Sequence, residues 1–98
     1  MSLDTATARI VEMAKENGGA IGSSVKFVFQ EGAILLDDTV SPTKVSNDDT
    51  DAQCTIKMEL KDFVKLLDGD LDPMGAFMGG MMKIEGDMTI AMKLTSLF

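Results

Sequence analysis

The chain has no histidine, no tyrosine and no tryptophan, and a single cysteine, Cys54, among its 98 residues. Without an imidazole there is no Ser/His or Cys/His nucleophilic pair, no histidine metal site, and no ordinary side chain that exchanges protons near neutral pH. One cysteine excludes an internal disulfide. Because Cys54 alternates with Ile56 and Met58, it reads as a small buried hydrophobe rather than a nucleophile. Carboxylates are all that remain for acid and base work, and with no partner base beside them they read as solvated loop charge. No catalytic residue, cofactor or metal ligand is expected, so the chain does not read as an enzyme.

Basic residues are also scarce, 9 Lys and Arg against 16 Asp and Glu, for a net charge of −7. That is the wrong sign for displacing counterions from nucleic acid, and no basic cluster is interleaved with aromatics. Long apolar runs are missing too, since none approaches the roughly 20 residues that span a bilayer. No charged n-region leads into an apolar h-region, so residence in the cytoplasm is expected. The last residues, Thr95-Ser96-Leu97-Phe98, are not a peroxisomal address of the S-K-L type.

Several partial motifs fail on spacing. No G-x-x-x-x-G-K-[ST] occurs, so a nucleotide P-loop is absent. Asp68, Asp70 and Asp72 open like a calcium loop, but Pro73 and Gly79 stand where that loop needs Gly and Glu. The run Asp48, Asp49 and Asp51 fails the same way and reads as surface loop. Gly75 and Gly79 form a G-x-x-x-G pair, yet Asp72-Pro73 interrupts any apolar span around it. A tight exit from a helix explains these glycines better.

What is present is enough apolar residue, 45%, for one core, and 98 residues correspond to one domain, residues 1–98. Leu3, Ala6, Ile10, Met13 and Ala14 lie near a helical stripe over residues 3–16, and Asn17-Gly18-Gly19 supplies a left-handed stop. From Val25 the period becomes two: Val25, Phe27 and Phe29 share one face, Glu31-Gly32 signals a turn, and residues 33–38 return as a second strand. A short strand is expected at residues 43–46 and another at residues 53–58. Leu60, Phe63, Val64 and Leu67 then repeat at helical spacing up to a Gly69 cap. Asp72-Pro73 opens a short helix to about Met78, residues 81–85 form a fifth strand, and Asp87 caps a last helix running to Leu97. That helix is apolar on most of its circumference and needs a cover.

Met74, Met78, Met81, Met82, Met88 and Met92 fall within nineteen residues. Methionine is soft and has many rotamers, so such a cluster is either ordinary core or a pliable apolar wall that a ligand completes. Both readings stay open on spacing alone.

The second half resembles the sterol carrier protein 2 family, also called the sterol-binding domain. The likeness is carried by DAQCTIKM at residues 51–58, DFVKLLDG at residues 62–69, LDPMGAFM at residues 71–78 and MKIEGDMTIAMKL at residues 82–94. The first half fits more loosely, through its leading helix and the hairpin. The resemblance implies an α/β (α+β) fold: a five-stranded mixed sheet covered on one face by about four to five helices, with an apolar tunnel between sheet and helices. It implies a non-catalytic lipid carrier for sterols, fatty acids, acyl-CoA or phospholipids. Position by position it places Phe77, Met78, Met82 and Ile84 at the tunnel wall, with Met88, Ala91, Met92 and Leu94 from the last helix. The alternation adds Phe27, Phe29, Ile34 and Leu36 from the hairpin.

Members commonly carry a polar residue where Gly79 stands and Lys where Met81 stands, so Met81 makes this rim more apolar. Residues 1–16 hold Arg9 and Lys15 against Asp4, Glu12 and Glu16, so no more than transient contact with membranes is expected. The chain reads as a monomer. The competing reading is an interaction or dimerisation module that uses the apolar C-terminal helix.

Overall fold

The structure is a computed structural model that describes residues 2–95. Nine elements follow in the order expected from the sequence: α1 (Leu3–Glu16), β1 (Ser24–Phe29), β2 (Gly32–Asp37), β3 (Lys44–Ser46), β4 (Cys54–Met58), α2 (Leu60–Asp68), α3 (Pro73–Met78), β5 (Met82–Gly86) and α4 (Met88–Thr95). The expected continuation of the last helix to Leu97, and the apolar Leu97 and Phe98, lie outside the described residues.

The strands form one mixed sheet in the order β3-β2-β1-β4-β5, with β1 and β4 parallel and every other pair antiparallel. Partners in register share a face, which turns the period-two pattern of each strand into one apolar wall. Phe27 stands opposite Ile34 and Ile56, Val25 opposite Leu36 and Cys54, Met58 opposite Met82, and Ile56 opposite Ile84. All of these are buried except Ile84, which is half-buried. The opposite face is wet and carries Lys57, Lys83 and Glu85, with Lys57 Nζ paired to Glu85 at 3.3 Å.

The helices supply the other half of a single core: Ala6 and Ile10 from α1, Leu60, Phe63 and Leu66 from α2, Ala76 from α3, and Ile90, Ala91 and Leu94 from α4. The Phe63 ring lies 4.9 Å from that of Phe27 and 5.0 Å from that of Phe29, tilted in both cases. Such tilted pairs add about 1 kcal/mol each beyond area burial.

The caps follow the sequence. Ser2 accepts from the Thr5 N–H at 3.2 Å, Asp72 from the Gly75 N–H at 3.1 Å, and Asp87 from the Thr89 N–H at 2.9 Å. Gly69 takes the left-handed conformation after α2. α1 ends at Glu16 as expected, with Asn17 at its cap and Gly19 of the Asn17-Gly18-Gly19 stop in the left-handed conformation. Two strand boundaries move for identifiable reasons. Asp38 leaves β2 because its carboxylate is taken by the loop amides of residues 19–22. Met81 is not in β5, because its N–H closes the exit of α3 on the Ala76 carbonyl at 2.9 Å.

At the junction of β5 and α4 the backbone runs very close to β4. Gly86 has φ +96°, and a Cβ there would meet the Gln53 carbonyl oxygen at 2.5 Å. Gly19, with φ +86°, faces open space. Gly19→Ala should therefore cost about 1 kcal/mol for conformation alone, while Gly86→Ala should cost about 3 kcal/mol because the clash adds to it. Urea denaturation of the two variants checks this, and equal losses would contradict it.

Candidate functional site

The predicted wall residues separate into two groups. Phe27, Phe29, Ile34 and Leu36 line the inner face of the sheet, Met82 continues that face on β5, and Ala91 and Leu94 close on it from α4. These seven side chains are buried, and Ile84 is half-buried. Phe77, Met78, Met81, Met88 and Met92 are exposed, and Met74, on the same helix as Met78, is exposed with them.

The reason lies in how α3 and α4 are attached. Of the six residues of α3 only Ala76 is buried, so Met74, Phe77 and Met78 are left outside. In α4 the buried residues Ile90, Ala91 and Leu94 form one stripe, and Met88 and Met92, four residues apart, fall on the outside. The last helix is thus covered on one side and presents thioethers on the other. Both helices contact β5, the edge strand of the sheet, and α4 also contacts β4. Exposed apolar side chains in this number stand out on a chain of net charge −7.

Two open clefts lie elsewhere, and none of the predicted wall residues lines them. One, of about 690 Å³, runs between Val11, Ala14 and Lys15 of α1 and the loop from Asp38 to Thr43. The other, of about 400 Å³, is formed by Gln30, Glu31 and residues 58–61. At the edge of the first cleft Asp38 is buried, a feature the sequence did not single out. Its carboxylate accepts from the N–H groups of Gly19 (2.9 Å), Ile21 (2.9 Å) and Gly22 (2.8 Å) and from the Thr43 hydroxyl (2.5 Å). Burial pushes this carboxyl up, but the Thr43 hydroxyl and the three amides together outweigh it and hold it below the usual carboxylate range. With its acceptor positions taken, Asp38 staples the loop after α1 to the loop after β2 and has nothing left for a substrate.

Cys54 is fully buried in the sheet, and burial, followed by the Asp87 carboxylate, pushes its thiol up. It is not an activated nucleophile. Among the described residues no group of three or more Asp, Glu or Cys side chains converges as metal ligands would. No helix among them is long and apolar enough to cross a membrane.

The sequence profile of the SCP-2 sterol transfer family matches residues 3–98, nearly the whole chain. The chain belongs to this family. It is 47% identical over 51 residues to sterol carrier protein 2 of Homo sapiens, a match that takes in 52% of this chain and 9% of that protein. The chain therefore corresponds to a small part of that longer relative. Sterol carrier protein 2 from Yarrowia lipolytica in its apo form has the same fold, with a TM-score of 0.70 at 17% identity, over 91% of this chain and 73% of that one. Palmitated SCP2L2 from Aedes aegypti shares it with a TM-score of 0.66 at 17% identity, over 99% and 94% of the two chains. The mixed five-stranded sheet with its helical cover is the fold of these family members.

Asp38 supplies a test of the loop staple. A carboxylate whose folded pKa is depressed stabilises the fold above its unfolded value of about 4, and that stability drains away as pH falls through the lower folded value. Asp38→Asn should cost about 2 kcal/mol at pH 7 and flatten the loss of stability below about pH 4. Thermal melts from pH 7 to pH 2 read both effects; an unchanged acid limb in the variant would contradict the assignment.

Proposed function

We propose that the chain is a lipid-binding and lipid-transfer domain that holds a fatty acyl, acyl-CoA, phospholipid or sterol-like ligand without catalysing a reaction. The observation that carries this is the exposed Met and Phe cluster on α3, α4 and the residues between α3 and β5, directly outside the buried wall of a family member's sheet. The cluster forms the entrance, and the wall from Phe27, Phe29, Ile34 and Leu36 to Met82, Ile84, Ala91 and Leu94 forms the tunnel lining. α3, held by one buried residue, is the element that lifts to admit the ligand. The palmitated state of the Aedes aegypti relative supports a fatty acyl chain as one ligand class.

Affinity comes from apolar burial. At about 0.8 kcal/mol per CH₂, a C16 chain offers about 10 kcal/mol before ordering costs, enough for micromolar binding. The carrier acts as a cytoplasmic monomer, with membranes contacted only transiently. The same exposed cluster also suits a second reading, in which it docks on another copy of this chain and the interior stays closed. Sedimentation separates the two, since that reading requires a lipid-free dimer.

Native mass spectrometry and titration with a fluorescent stearate test the proposal on the purified protein. Micromolar stearate binding is expected. Met78→Asp should weaken it about tenfold or more while changing stability by less than about 0.5 kcal/mol, because the side chain is on the surface. No copurified lipid and no probe binding at micromolar concentrations would sink the carrier reading.

A further inference from the structure

We propose that the exposed methionines are a reversible oxidation site for hydroperoxides, and that their oxidation switches the lipid entrance off. The consequence for lipid rests on the carrier reading above; the oxidation itself does not. Among the described residues five methionines stand at the surface: Met78 is 80% exposed, Met92 66%, Met74 56%, Met88 44% and Met81 38%. They also fall in pairs along the helices. Met74 and Met78 are one turn apart on α3, Met88 and Met92 one turn apart on α4, and the Met81 N–H bond to Ala76 folds the chain back beside α3. By contrast, Met58 and Met82 are 9% and 6% exposed, inside the same core.

The step needs only the thioether and the oxidant. A sulfur lone pair attacks one peroxide oxygen, the S–O bond forms as the O–O bond breaks, and the proton of the transferred oxygen passes to the leaving one. Sulfur is oxidised by two electrons to the sulfoxide, and the hydroperoxide is reduced to water or an alcohol. Access of the oxidant to sulfur sets the rate, so exposure sets the order. The product is a polar group in place of an apolar one, on the surface that an acyl chain must cross, while the buried core keeps its packing. Leucine or isoleucine at these positions would offer the same apolar entrance with no such response.

The test treats the full chain with graded hydrogen peroxide and maps added oxygen by peptide mass spectrometry. Met78 and Met92 should be oxidised first, and all five surface methionines about tenfold or more faster than Met58 and Met82. Equal rates at surface and buried positions would overturn the site. In the second arm, fluorescent stearate affinity is measured before oxidation, after it, and after repair by methionine sulfoxide reductases with a thiol reductant. A loss of about tenfold that repair restores, with circular dichroism unchanged throughout, is the expected result. An affinity unmoved by oxidation, or a loss that comes with unfolding, would overturn the switch. A Met78→Leu/Met92→Leu variant should hold its own affinity through peroxide better than the parent chain does, and equal sensitivity would likewise count against it. If the unoxidised protein does not bind stearate at all, the carrier reading and the switch fall together, and the oxidation map alone decides the modification site.

Discussion

The contact between Phe27 of β1 and Phe63 of α2 joins the two things this fold must reconcile. A sheet that is wet on one face has to bury the other, and the covering helices come from both ends of the chain and from its middle. Phe27 sits at the centre of the wall, with Ile34 on one side and Ile56 on the other, because β1 pairs antiparallel with β2 and parallel with β4. Phe63 reaches it from the first helix after β4. Once that seam is formed, α1 packs beside β2 and β3, and α3 and α4 beside β5. The two sides are anchored unequally. α2 buries four apolar side chains in nine residues, whereas α3 buries one in six. The same architecture is therefore firm around the phenylalanines and lightly held at α3.

Much of this was legible before any coordinates. Alternation at Val25, Phe27 and Phe29 and at Cys54, Ile56 and Met58 places strands correctly because a one-residue slip would turn each set to water. Asp72, Gly69 and Asp87 end or begin helices where their chemistry predicts. The likeness over residues 51–94 carried the family and the sheet with it. Nothing local to Asp38 says that its partners lie sixteen to nineteen residues earlier. Met81 is set by the helix exit instead: past Gly80, at φ +78°, its N–H turns back five residues to Ala76 rather than along the sheet.

The candidate residues were legible as apolar, but their exposure was not. The family likeness put Phe77, Met78, Met88 and Met92 on the same wall as Leu94 and Met82, with Met81 at its rim. The structure divides that set because α3 is fastened through Ala76 alone and α4 through Ile90, Ala91 and Leu94. What the family likeness presented as one lining is a buried set and an exposed set. On the proposed carrier reading, that division gives methionine a role that a closed core would not: a deformable, chemically reactive surface at the point of entry.

Resonances of the methionine methyl groups test this account most directly, because eight of the nine methionines lie among the described residues, at depths from buried to exposed. During titration with a long-chain fatty acid, the methyls of Met78, Met81, Met88 and Met92 should shift together with that of Met82 behind them. The amides of Val11, Ala14 and Val45 beside the α1 cleft should stay in place. Shifts confined to the α1 cleft, with the methionine methyls unmoved, would contradict it.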